Sequence, residues 1–134
     1  AIGKPGKRAA AVHSAVVRAH NDIVELLTPG LSVVEYYQSV DTIMQRELVG
    51  LGLMKSLTDI DNYRRYFPHA ISHGLGVDVH DALGRPTEFL QGMVLTVEPG
   101  IYIPEEGIGV RLEDDILITD SGHLNLSKAL SLDI

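Results

Sequence analysis

At 134 residues the chain is long enough for one domain, taken here as 1–134, that buries roughly two-thirds of the surface its unfolded form exposes. Hydrophobic residues make up 45% and charged residues 22%, which excludes a disordered chain, and no apolar run reaches the roughly 18 residues of a membrane span. A net charge of -7 argues against a general nucleic-acid binder, and the absence of cysteine excludes disulfides, thiolate ligands and cysteine nucleophiles.

The opening "AIGKPGKRAA" is basic and glycine-rich and lacks the apolar core of a signal peptide, so a cytoplasmic location is the default expectation. Lys4, Lys7 and Arg8, and Arg64 with Arg65, read as solvated surface. From Lys7 to Leu27, Val12, Val16, Ile23 and Leu27 recur near helical spacing, with alanines between them. The spacing predicts a first helix, with His13 and His20 on an exposed or half-buried face. Thr28-Pro29-Gly30 stops it. Ser32 with Glu35 reads as a capping box opening a second helix, which runs through Tyr36, Val40, Met44 and Leu48 to Gly50.

Beyond residue 66 the texture changes. "MVLTVEPGIYI", "IGVRLEDDILIT" and "HLNLS" are short β-prone runs divided by Pro-Gly, Glu-Glu-Gly and Ser-Gly. Two long helices followed by several strands predict an α+β fold. "HAISHGLGVDVHD", from His69 to Asp81, concentrates three of the six histidines in an apolar stretch. An imidazole is costly to bury unless its nitrogens find partners, so these three are either satisfied structurally or used.

Glu98 ends an apolar run just before Pro99-Gly100. In "GVRLEDD" the period of two puts Arg111 and Glu113 on one face, opposite Val110 and Leu112. Alone, Arg111 and Glu113 form a surface ion pair worth about 0.2–1 kcal/mol. Joined with Glu98 and a histidine, they form a hard, oxygen-rich set suited to Mn²⁺, Co²⁺ or Zn²⁺. No H-E-x-x-H helix, P-loop or G-x-S-x-G elbow is present.

In this order, "HAISHGLGVDVHD", "GMVLTVEPGIYI" and "GVRLEDDILIT" resemble the C-terminal catalytic half of the aminopeptidase P and prolidase family. These are two-metal, proline-directed peptidases with the pita-bread fold. The two helices joined by "TPGLS" resemble the helix pair of that domain. The resemblance implies that His73, Glu98 and Glu113 are metal ligands, with Glu113 bridging both ions. It implies that Glu98 is also the acid/base, and that His80 contacts the scissile region and the developing tetrahedral intermediate. His69 would line the substrate pocket, and Arg111 would bind there and order the acidic residues. The implied cofactor is a pair of divalent ions, Mn²⁺ with Co²⁺ or Zn²⁺ as alternatives. The implied reaction is hydrolysis of an X–Pro bond through a metal-bridging hydroxide. The partner is then a proline-containing peptide, with neither nucleic acid nor membrane, and a homo-oligomer is left open.

The pattern departs from the family in three places. No aspartate precedes Asp22, which lies inside the first helix, so the two aspartate ligands of the family are missing. The expectation is a truncated or proteolysed piece of a longer enzyme, inactive alone. Ala70 stands where the family usually has glycine, and "YIPEEGIG" is short. The competing readings are a pita-bread module that binds without catalysis and a creatinase-like hydrolase of a small C–N substrate. The family role of His80 carries a structural demand. An offset of seven from His73 would turn the two rings to opposite faces of an unbroken strand, so "GLGVDV" must bend or bulge near Gly74 or Gly76.

Overall fold

A computed structural model describes residues 4–134. Helix α1 spans Lys7–Val24, α2 spans Val33–Gly50, and a short α3 covers Ile60–Tyr66. Five strands follow: β1 Val94–Val97, β2 Gly100–Ile103, β3 Ile108–Arg111, β4 Asp114–Ile118 and β5 His123–Asn125. None of the described helices is long and apolar enough to cross a membrane.

Both long helices form where the periodicity places them. On α1, Val12, Ala15, Val16, Ala19 and Ile23 are fully buried, at the i, i+3, i+4 spacing of one helical face. The helix ends at Val24 rather than Leu27. The chain tightens there into i→i+3 bonds, from Leu26 N–H to the Ile23 carbonyl and from Leu27 N–H to that of Val24. Leu27 remains fully buried even so. Ser32 caps α2 by accepting from Glu35 N–H at 3.5 Å, as the capping box predicts.

Three features differ from the sequence reading. His13 and His20 are 8% and 2% exposed, not on an open face, because α1 packs against α2 on one side and against β1, β2 and β3 on another. Helix α3 adds a third helix to the expected two. Its signals are local: Asp59 caps it, Asp61 stands in its first turn, and Arg64 and Arg65 stand in its last. Third, "IGVRLEDDILIT" is two strands in different sheets.

The sheet topology explains that division. One antiparallel sheet has the order β1-β4-β5, and β2 with β3 forms a separate hairpin. Val97↔Asp114 is the last pair of the first sheet, and Gly100↔Arg111 is the first pair of the second. The chain therefore turns the same corner twice, once at Glu98-Pro99 and again at Leu112-Glu113. Proline cannot donate to a ladder, which ends β1 on that side. On β4, Asp114, Ile116 and Ile118 face the core while Asp115 and Leu117 are half-buried, the period-two pattern of a one-faced strand.

Residues 71–75 run antiparallel beside β1 without forming a named strand. Glu98 N–H donates to the Ile71 carbonyl at 2.9 Å, and Thr96 N–H to that of His73 at 3.0 Å. Gly74 bridges Leu95. The chain then leaves the sheet. "GLGVDV" is neither a strand nor a bulged one, because Gly74 pairs with Asp81 across a turn, donating to its carbonyl at 2.9 Å.

Candidate metal centre

The shared corner brings His73, Glu98 and Glu113 together from three segments. One ligand atom of each lies within 4.8 Å of the others. His73 Nε2 is 3.6 Å from Glu98 Oε1 and 4.0 Å from Glu113 Oε1. Arg111 stands on the far side of both carboxylates, 3.5 Å from Glu98 Oε2 and 4.0 Å from Glu113 Oε2. Each glutamate thus turns one oxygen to the imidazole and the other to the guanidinium. The period-two expectation for Arg111 and Glu113 survives the break at Leu112, since both still face one site.

The groups that aim these donors belong to β1 and to the segment beside it. His73 Nδ1 donates to the Gly74 carbonyl at 2.9 Å, which leaves Nε2 as the acceptor that faces the carboxylates. Thr96 is 1% exposed, and its hydroxyl joins two of the three groups. It accepts from His73 N–H at 3.0 Å and donates to Glu98 Oε1 at 3.3 Å. Thr96 was not singled out in the sequence, although its place two residues before Glu98 puts both on one face of β1. Ser72 sits buried behind His73, with its hydroxyl 3.1 Å from that of Tyr36 on α2. Burial pushes the Tyr36 hydroxyl well above the ordinary tyrosine range, so it stays protonated.

The other two histidines have separate supports. His80 is exposed, yet its ring meets that of His73 edge-on at 4.9 Å between centroids. The turn that carries it hangs from Asp81, whose carboxylate accepts from Val77 N–H and Ala82 N–H, both at 2.8 Å. The backbone donors of Ala82, then Val77 and Asp78, hold that carboxyl below its ordinary value of 3.8. A Cβ on Gly76 would collide with the Asp81 carboxylate, so close approach is what that glycine supplies. His69 lies beside the three-residue cluster rather than in it. Its Nδ1 donates to the Ala70 carbonyl at 2.8 Å, and its Nε2 accepts from the Tyr102 hydroxyl at 2.9 Å. A Cβ on Gly100 would sit 2.9 Å from that same Nε2 and 2.6 Å from the Tyr102 oxygen, so the Pro-Gly corner presses directly on His69.

The donor set fits a divalent ion: one imidazole nitrogen and two carboxylate oxygens, all hard or borderline. The fold is the pita-bread fold of the solved aminopeptidase P structures. The chain belongs to metallopeptidase family M24, whose profile matches residues 1–120. It is 39% identical over 132 residues to Xaa-Pro aminopeptidase 3 of Homo sapiens, covering 88% of this chain and 26% of that protein. It is 35% identical over 131 residues to the Xaa-Pro dipeptidase of Pyrococcus horikoshii, covering 95% of this chain and 33% of that protein. Escherichia coli aminopeptidase P with the inhibitor Pro-Leu superposes with a TM-score of 0.84 at 38% identity, over 96% of this chain and 33% of that one. The chain thus spans between a quarter and a third of the length of these relatives.

Proposed function

We propose that this chain carries the histidine and both glutamates of a two-metal Xaa-Pro peptidase, with the remaining ligands supplied by sequence outside the 134 residues. Residues 1–134 are then one portion of a single catalytic domain. The observation that carries this reading is the convergence of His73 Nε2 with one oxygen each of Glu98 and Glu113. The proline-directed names of the relatives support the substrate class. Mn²⁺ is the favoured ion for so oxygen-rich a set, with Co²⁺ or Zn²⁺ as alternatives.

When bound, a pair of divalent ions supplies Lewis acidity and a water acidic enough to react near neutral pH. The protein's own groups do the rest. Glu98, held by Thr96 and Arg111, takes a proton from the attacking water and passes it to the leaving nitrogen. That nitrogen is proline's, and like any peptide nitrogen it departs as an amine only when a proton is delivered to it. His80, at the edge of His73, donates to the carbonyl oxygen as negative charge builds there. His69 lines the substrate side, and Arg111 contacts substrate while keeping the two carboxylates apart.

The test is an X–Pro peptide assay with added Mn²⁺ on this chain and on the longer protein that contains it. Turnover should belong to the longer protein alone. In that protein His80→Ala should lower turnover about a hundredfold to a thousandfold while metal content stays near wild type. Comparable turnover by the short chain would refute the shared-ligand reading. A longer protein that cleaves no X–Pro peptide would leave the binding module or the C–N hydrolase in its place.

A further inference from the structure

Behind the carboxylate corner, α1 places an imidazole in the core. His20 is 2% exposed, and neither of its ring nitrogens has a hydrogen-bond partner among the described residues. Its Nε2 nevertheless lies 3.3 Å from Asp114 Oδ2. Asp114 is 4% exposed and occupies a core-facing position of β4, where Ile116 and Ile118 continue the same face at 0%. An apolar pair would fill this space without the cost of burying a carboxylate against an imidazole.

The pair stands where it has a mechanical consequence. Asp114 and Val97 are the last rung of the β1–β4 ladder, and Glu98 and Glu113 are the next residues beyond that rung. Asp114 Oδ2 also accepts from Asn125 Nδ2 at 2.6 Å, so β5 holds it from the side while α1 holds it from below. Glu113 belongs to no strand and is exposed, so its direction depends on the residue that follows it.

We propose that His20 is a positioning residue for the metal centre: through Asp114 it fixes the end of β4, and so the direction in which Glu113 projects toward His73. This rests on the metal-centre reading above. The loss expected on removing such a support is a weaker ion as well as a less stable fold, because it leaves the buried Asp114 carboxylate with Asn125 but without the imidazole.

Co²⁺ binding to the longer protein that contains this chain, followed by calorimetry, tests it, with the thermal midpoint of the metal-free protein as a control. His20→Leu should weaken binding roughly tenfold to a hundredfold and lower the midpoint, since Asp114 stays buried without the imidazole. His20→Gln keeps a donor at that place and should retain most of the affinity. Asp114→Asn, of nearly the same volume, should weaken binding as His20→Leu does, and it serves should the leucine variant fail to fold. Wild-type affinity in His20→Leu, or in Asp114→Asn where that variant serves, overturns the inference. So does an equal loss in the leucine and glutamine variants with lowered midpoints, the mark of a structural role alone. Should wild type show no Co²⁺ binding that Glu98→Gln removes, the metal-centre reading itself fails and takes this inference with it.

Discussion

His73 and His80 touch ring to ring at 4.9 Å, yet they are held by opposite means. His73 belongs to a ladder. Its carbonyl accepts from Thr96 N–H, its own N–H donates to the Thr96 hydroxyl, and its ring is locked by the Gly74 carbonyl. His80 belongs to a turn with Val77 and Val79 fully or largely exposed, tied through Asp81 and the Gly74–Asp81 bridge. On the roles proposed for the two rings, the contrast teaches a division of labour. A group that shares an ion with two carboxylates needs fixed distances, and ladder bonds supply them. A group that meets a substrate sits on a segment with few bonds to break when the substrate arrives.

The strongest test of that contrast is at the ladder side. Glu98→Gln preserves volume and the bond from Thr96 but removes the charge that faces His73 Nε2. We expect it to abolish Mn²⁺ binding in a calorimetric titration. Binding at wild-type strength would place the ion elsewhere and dissolve the comparison.

Thr96→Val comes next. It leaves His73 N–H without an acceptor and takes the Thr96 donor from Glu98, at a site 1% exposed. The expected cost is about 1–3 kcal/mol in denaturant unfolding. Metal affinity should fall by roughly tenfold to a hundredfold. A stability loss with no change in affinity would make Thr96 a packing residue only.

The smallest effect belongs to the turn. Because Asp81 titrates below its ordinary value, its contribution is present above 3.8 and is lost as pH falls through the lowered folded value. Acidification followed by amide hydrogen exchange should therefore release Val77 and Ala82 while the amide of Thr96 stays protected. Simultaneous release of all three would show that turn and ladder are one cooperative unit.

Much of this is legible in the sequence. The apolar spacing on α1 and the Ser32–Glu35 cap are local signals, and the helices form where those signals stand. The three motifs likewise contain every residue of the candidate cluster, His73, Glu98 and Glu113. Helix α3 is not legible in the sequence pattern despite its cap and terminal charges, because seven residues carry too little periodicity to stand out. The burial of His13 and His20 is not legible for a different reason. A helix pattern tells which residues share a face, but not that a second layer will cover an adjoining face.

What the sequence determined by itself was therefore the identity of the elements and the inventory of chemical groups, since helix caps, Pro-Gly breaks and alternation act over a few residues. What only the tertiary structure decided was their meeting. Glu98 and Glu113 are fifteen residues apart and face one imidazole because β1 pairs with β4 while β2 pairs with β3, which makes both strands turn at the same corner. The turn through Asp81 likewise returns His80 to His73, where strand geometry alone would have parted them. Pairing across the chain depends on which surfaces find each other in the packed core, and no short window of sequence carries that information.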